Sequence, residues 1–112
     1  MINKIIIDTL KPIKIPVSFQ RYSGKSETYI TFYEYFAEGE DYEDDKEAFT
    51  SHYIQIDIWS KSDYTEVVKK VKDLLINVGL KRLNEVDLYE EDIKIYHKGL
   101  KFYYLEERDI DA

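Results

Sequence analysis

Residues 53–60, Tyr53-Ile54-Gln55-Ile56-Asp57-Ile58-Trp59-Ser60, set three isoleucines on one face and Tyr53, Gln55, Asp57 and Trp59 on the other. This period of two is that of a half-buried strand. Ser62-Asp63-Tyr64 follows, and from there Tyr64, Val67, Val68, Val71, Leu74, Leu75 and Val78 recur at i, i+3, i+4 and i+7 over four turns, the period of a one-sided helix. Asp63 and Glu66 have capping-box spacing at its start, and Gly79 sits where a left-handed C-terminal residue belongs. A strand with one apolar face thus runs directly into a helix with one apolar face, and burying the two against each other is the simplest solution.

Working outward, Tyr29–Phe36 puts Ile30, Phe32 and Phe36 on one face and Tyr29, Thr31, Tyr33 and Tyr35 on the other. With Phe49–Trp59 it makes a long antiparallel hairpin whose tip is the acidic run 38–47. Upstream, Ile13–Gln20 reads as a short edge strand, since Pro16 is tolerated only at an edge or a strand beginning. Ile2, Ile5, Ile6 and Leu10 give a short helix over 2–11, stopped by Pro12. Downstream, Leu80–Tyr89 and Asp92–Glu106 form a second hairpin turning near Glu90-Glu91, with Ile93 and Ile95 facing opposite Lys94 and Tyr96. Gly99 is expected to mark a bulge that shifts the apolar phase to Leu100, Phe102 and Tyr104. The expected fold is α+β, a single domain over 1–112: an antiparallel sheet of about five strands with two helices on one face, in the order α-β-β-β-α-β-β.

The 112 residues carry 44% hydrophobic and 15% aromatic residues, 11 of them Tyr, against only 4 Gly and 2 Pro, a composition for a packed core rather than disorder. The absence of cysteine excludes disulfides, thiolate metal sites and cysteine nucleophiles. No apolar run approaches the roughly 18 residues that span a bilayer, which argues against a membrane role. The net charge of −7 argues against binding nucleic acid through its phosphates. Residues 38–47 hold seven acids and one base, so −6 of that charge lies in one stretch.

No motif for chemistry emerges, and no cofactor is implied. His52 and His97 sit inside strands with no carboxylate or second histidine at a ligand spacing, and read as strand or interface histidines. Gly-rich phosphate loops, nucleophile elbows and His-Glu-x-x-His are missing. Asp41, Glu43 and Asp45 alternate as calcium ligands do, but without the EF-hand's central glycine and terminal glutamate. Glu40, Asp41, Glu43, Asp44 and Asp45 therefore form either a solvated loop or a charged contact surface, with a metal site the remaining alternative. Two helices cannot cover both faces of the sheet, so the second face carries Tyr29, Tyr33, Tyr35, Tyr53 and Trp59, an aromatic set with polar handles suited to a protein contact. Tyr33, Tyr35, Tyr53, Asp57 and Trp59 are the candidate interface residues, a second copy of the chain being one partner. Asp57 is either an exposed-face aspartate or one half of an ion pair between subunits.

Three stretches together resemble the tail completion, or tail terminator, proteins of long-tailed phages and related prophages. They are Tyr53–Ser60 with the helix through Gly79; Asp87-Leu88-Tyr89-Glu90 leading to Lys94–Lys98 and Phe102-Tyr103-Tyr104; and Leu10-Lys11-Pro12 through Pro16-Val17-Ser18-Phe19. Leu80 departs from the aromatic that such proteins often carry after the helix-ending glycine. The resemblance implies a non-enzymatic virion subunit, made in the bacterial cytoplasm, that forms a ring, usually hexameric, on the end of the tail tube. Such a ring stops tube growth and presents a surface to the head. Its partners would be other copies of itself, the tail tube protein and a head or neck completion protein, with DNA only in transit through the channel. Acidic loops near that channel would repel phosphates, or would seek basic residues on a neighbour. The competing readings are another neck component, such as a head completion or connector protein, and an acidic DNA-mimic inhibitor.

Overall fold

The computed structural model describes residues 2–40 and 49–107. Its elements are α1 (Ile2–Leu10), a 3₁₀ turn (Lys11–Ile13), β1 (Val17–Phe19), β2 (Thr28–Glu40), β3 (Phe49–Ser60), α2 (Thr65–Asn77), β4 (Lys81–Glu90) and β5 (Ile95–Glu107). The five strands form one sheet in the order β1-β2-β3-β5-β4. The fold is the expected α+β one, in the expected element order, but the sheet is mixed because β1 runs parallel to β2. Only three residues of β1 pair, about 10 Å of strand, so the eight residues between Phe19 and Thr28 suffice to carry the chain back to the start of β2. Gln20, at φ 66, begins that return and donates its N–H to the Phe32 carbonyl (2.8 Å).

The core lies between the helices and the sheet. α1 contributes Ile2, Ile6 and Leu10, and α2 contributes Val68, Val71 and Leu75. They meet Ile30 and Phe32 of β2, Ile54, Ile56 and Ile58 of β3, and Leu100 and Phe102 of β5. Registers Ile30↔Ile58, Phe32↔Ile56, Ile56↔Leu100 and Ile54↔Phe102 keep these side chains on one face. Val78, at the end of the apolar stripe, is exposed because the helix has already ended. The ending has a specific chemistry. Gly79 adopts φ 106, its N–H reaches the Ile76 carbonyl (3.0 Å) and the Leu80 N–H reaches that of Leu75 (3.0 Å), a Schellman pair sealed by buried Leu80. At the other end Asp63 Oδ1 accepts from both the backbone N–H and the hydroxyl of Thr65, so the start of α2 is secured by Thr65 rather than by a reciprocal Asp63–Glu66 box.

Three strand expectations are corrected. β2 does not stop at Phe36 but continues to Glu40, so Glu38, Gly39 and Glu40 pair with Ser51, Thr50 and Phe49 instead of opening a loop. Within it Tyr35 is an extra residue: Glu34 pairs with Ile54 and Phe36 with Tyr53, and the bulge turns Phe36 away from the core. Gly99, by contrast, is no bulge, for it pairs in unbroken register with Asp57 on one side and Val86 on the other. The irregularity in that hairpin lies at Leu83 of β4. The apolar phase of β5 only looked broken because its helix-side positions before Leu100 are Lys98 and Tyr96.

The molecule measures 52 × 25 × 24 Å, with a radius of gyration of 15.6 Å against about 13 Å for a compact chain of this length. The β2–β3 hairpin and the end of β5 run on past the helices and account for the elongation. The bulge yields a sharp contrast between two phenylalanines. Phe32→Ala, at 0% exposure, should cost about 3–5 kcal/mol in urea unfolding, whereas Phe36→Ala, at 51%, should stay within about 1 kcal/mol; equal losses would place Phe36 back in the core.

Candidate functional site

Alternation along the strands sends every second side chain to the face that the helices leave open. Tyr33, Tyr35, Tyr53, Asp57 and Trp59 all belong to it, as the sequence suggested, and β5 adds His97, Gly99, Lys101 and Tyr103. This face is organised rather than bare. Register Tyr29↔Trp59↔His97 lines up rings from three strands. Trp59 stacks on His97 at 3.8 Å and 10°, Tyr29 lies beyond Trp59 at 6.0 Å and 15°, and Tyr22 of the β1–β2 return stacks on Tyr29 at 4.4 Å. A second aromatic group forms further along the hairpin, where Tyr53 meets Tyr35, Phe36 and Tyr103, and the Lys101 ammonium sits over the Tyr35 ring at 5.1 Å.

Asp57 anchors the first group. It is only 5% exposed, so it is not an exposed-face aspartate, and its ion partner belongs to its own chain. Asp57 Oδ1 accepts from His97 Nε2 at 2.7 Å and from Gln55 Nε2 at 2.8 Å. Space for the carboxylate comes from Gly99 directly opposite, where a Cβ would lie 3.5 Å from Oδ1 and 3.3 Å from Val86 Cγ1. Thr31, its neighbour on β2, accepts a hydrogen bond from Trp59 Nε1 at 3.0 Å. On its other ring nitrogen His97 faces Glu90 Oε1 of β4 at 3.5 Å. Burial works against the imidazolium, but Asp57 and then Glu90 outweigh it and hold the His97 pKa above its ordinary value.

The helix side beyond the core carries a parallel arrangement. His52 of β3 places one ring nitrogen against Glu34 of β2 and the other 2.9 Å from Glu106 of β5. Both histidines therefore bridge acids on the two flanking strands, which no local spacing could reveal. Because the two acids lie at opposite ring nitrogens, neither set converges on a point, and no group of three or more His, Asp or Glu among the described residues could hold a metal ion. Among the acidic-loop candidates, Glu40 ends β2 opposite Phe49, and Asp41, Glu43, Asp44 and Asp45 lie outside the described residues.

A third polar group, unforeseen in the sequence, lines a cleft of about 330 Å³ between α2 and β4–β5. Lys98, 9% exposed, bridges Glu85 and Asp87 at 3.1 Å each, and Lys72 joins Glu85 at 3.2 Å. Tyr64 donates to Asp87 Oδ1 at 2.7 Å; burial first and Asp87 second push its pKa up to about 12. Burial opposes the Lys98 charge, yet the two acids keep its pKa above the usual lysine value. Every charge here answers another within the chain, so the cleft serves chiefly to fasten α2 to β4. The signal available in advance was Lys98 itself, a lysine at a core-phase position.

The sequence matches no protein-family model and no curated protein. No helix among the described residues is long and apolar enough to cross a membrane.

The Asp57–His97 pair has a measurable consequence. Folding raises the His97 pKa, so its contribution to stability is complete below about 6.5, the unfolded value, and is lost as pH rises through the folded value. The fluorescence of Trp59, the single tryptophan, should brighten through the same transition as the stacked imidazolium loses its proton. Asp57→Asn should move that transition to lower pH and cost about 1–3 kcal/mol; fluorescence that ignores pH through the neutral range in the native chain would contradict the pairing.

Proposed function

We propose that this chain is a non-enzymatic structural subunit of a phage tail, a tail terminator that assembles with copies of itself into a ring, hexameric in the resembling family, on the end of the tail tube. The observation that carries this reading is the layered asymmetry of the sheet. One face carries both helices and the core beneath them, while the opposite one is a broad, ordered aromatic surface including Tyr33, Tyr35, Tyr53 and Trp59. Surfaces rich in tyrosine and tryptophan with hydrogen-bonding edges are what protein contacts select. The internal fastening of this face by Asp57 and His97 keeps the rings pre-organised, so little side-chain entropy is lost on association. The segments that resemble tail terminators supply the identity of the partners, namely the tail tube on one side and a head or neck completion protein on the other.

In this reading the chain works by binding free energy alone. Closing a ring requires heterologous contacts, in which one patch meets a different patch on the neighbour. The open face provides one such patch, and the β2–β3 hairpin, which extends beyond the helices, provides a second. The virion is then its place of action and the bacterial cytoplasm its place of assembly.

Electron microscopy of particles lacking this chain tests the proposal without presuming any assembly in solution. Overlong or headless tails beside DNA-filled heads are expected. Normal-length tails joined to heads would remove the terminator role, and normal tails beside leaking heads would reassign the chain to head completion.

A further inference from the structure

Among the described residues, the outer edge of β4 is the longest run of strand with one side unpaired. β4 ends the sheet order, spans ten residues without a proline, and no strand among the described residues pairs with its free side. Such an edge offers unpaired N–H and C=O groups to another strand, and natural proteins ordinarily guard it with lysine, proline or a cover. Here Lys81 and Arg82 stand only at its start, while Val86 and Leu88, on the open face at 50% and 47% exposure, leave its middle apolar. A bulge at Leu83 guards only its first third.

The charge along this strand identifies what fits it. Its first two residues, Lys81 and Arg82, are basic, and its later half carries Asp87 and Glu90. A parallel copy in register would align like charges, whereas an antiparallel copy centred on Val86 would set Lys81 of each against Glu90 of the other. We infer that β4 pairs antiparallel with β4 of a second copy of this chain about a two-fold axis at Val86, joining two five-stranded sheets into one of ten strands.

The geometry is self-consistent across that axis. Val86 meets its symmetry mate, Asn84 lies opposite Leu88, and beyond the bulge Lys81 and Arg82 lie opposite Glu90 and Tyr89. All pairs share a face, as the pleat demands. Glu85 and Asp87 would face each other across the axis on the helix side, but each is already neutralised within its own copy by Lys98, with Lys72 and Arg82 also on Glu85. The apolar residues of the two strands then form one stripe on the open face. This inference does not rest on the tail reading, and either can fail without the other.

Because the chain has no cysteine, a single Val86→Cys substitution gives a clean test. Residues directly opposite in an antiparallel pair have Cα atoms about 4.5–5.5 Å apart, within disulfide reach. Sedimentation of the unmodified chain should show its mass passing from one chain to two with concentration. Val86→Cys should cross-link to a dimer under mild oxidation far faster than Ile93→Cys, in the exposed turn. Val86→Lys, which leaves the core untouched, should keep the circular dichroism of the fold and weaken dimerisation about tenfold or more. A single-chain mass at every concentration, equal cross-linking at 86 and 93, or a larger assembly indifferent to Val86→Lys would overturn the pairing.

Discussion

Two helices of nine and thirteen residues, about 14 and 20 Å long, cannot cover a sheet five strands wide with central strands of about 40 Å. Everything else in the molecule answers that shortage of cover. Where the helices reach, the sheet is apolar, with Ile30, Phe32, Ile54, Ile56, Ile58, Leu100 and Phe102 packed beneath them. Past their reach the same face changes character to Glu34, His52 and Glu106. Among the described residues no helix lies on the opposite face, which is held by stacked rings and the Asp57–His97 pair.

Buried ion pairs of this kind give little net stability, because desolvation cancels much of the attraction. Their stronger effect is on register. A one-residue slip of β5 against β3 would carry His97 to the helix side, leave Asp57 buried without its partner, and turn Leu100 and Phe102 outward. His52 imposes the same condition along the far part of β2, β3 and β5, beyond the bulge at Tyr35 where the apolar alternation no longer specifies the pairing. His52 thus acts where hydrophobic patterning runs out, whereas His97 reinforces a register that Leu100 and Phe102 already favour.

That division also explains what was legible in the sequence. The isoleucines of β3, the stripe of α2 and Gly79 are local patterns enforced by burial, and they led to the right layers and the right open-face residues. Nonlocal facts were not readable. His97 meets an aspartate forty residues away, and the bulge at Tyr35 inverts Phe36 without any glycine to announce it. Lys98 disguised the phase of β5 because a buried lysine breaks the apolar pattern unless its partners Glu85 and Asp87 are known. Gly99 stands out in the sequence, but its reason is the room that it leaves for the Asp57 carboxylate, not a change of register. The parallel pairing of β1 rests on a return too short for sequence patterning to describe.

The proposed function starts from the same constraint: no part of the described chain covers this face, its rings are fixed in place, and the proposal assigns it to contact with another protein. Hydroxyl-radical footprinting of Tyr35 and Phe36, which stand 40% and 51% exposed on that face, compares the isolated chain with the chain inside the purified tails to which the proposal assigns it. The account predicts strong protection of both side chains in the tails, while exposed residues of α2 such as Ile76 keep more of their reactivity. Unchanged labelling of Tyr35 and Phe36 in assembled tails would contradict the claim that this face is the contact surface.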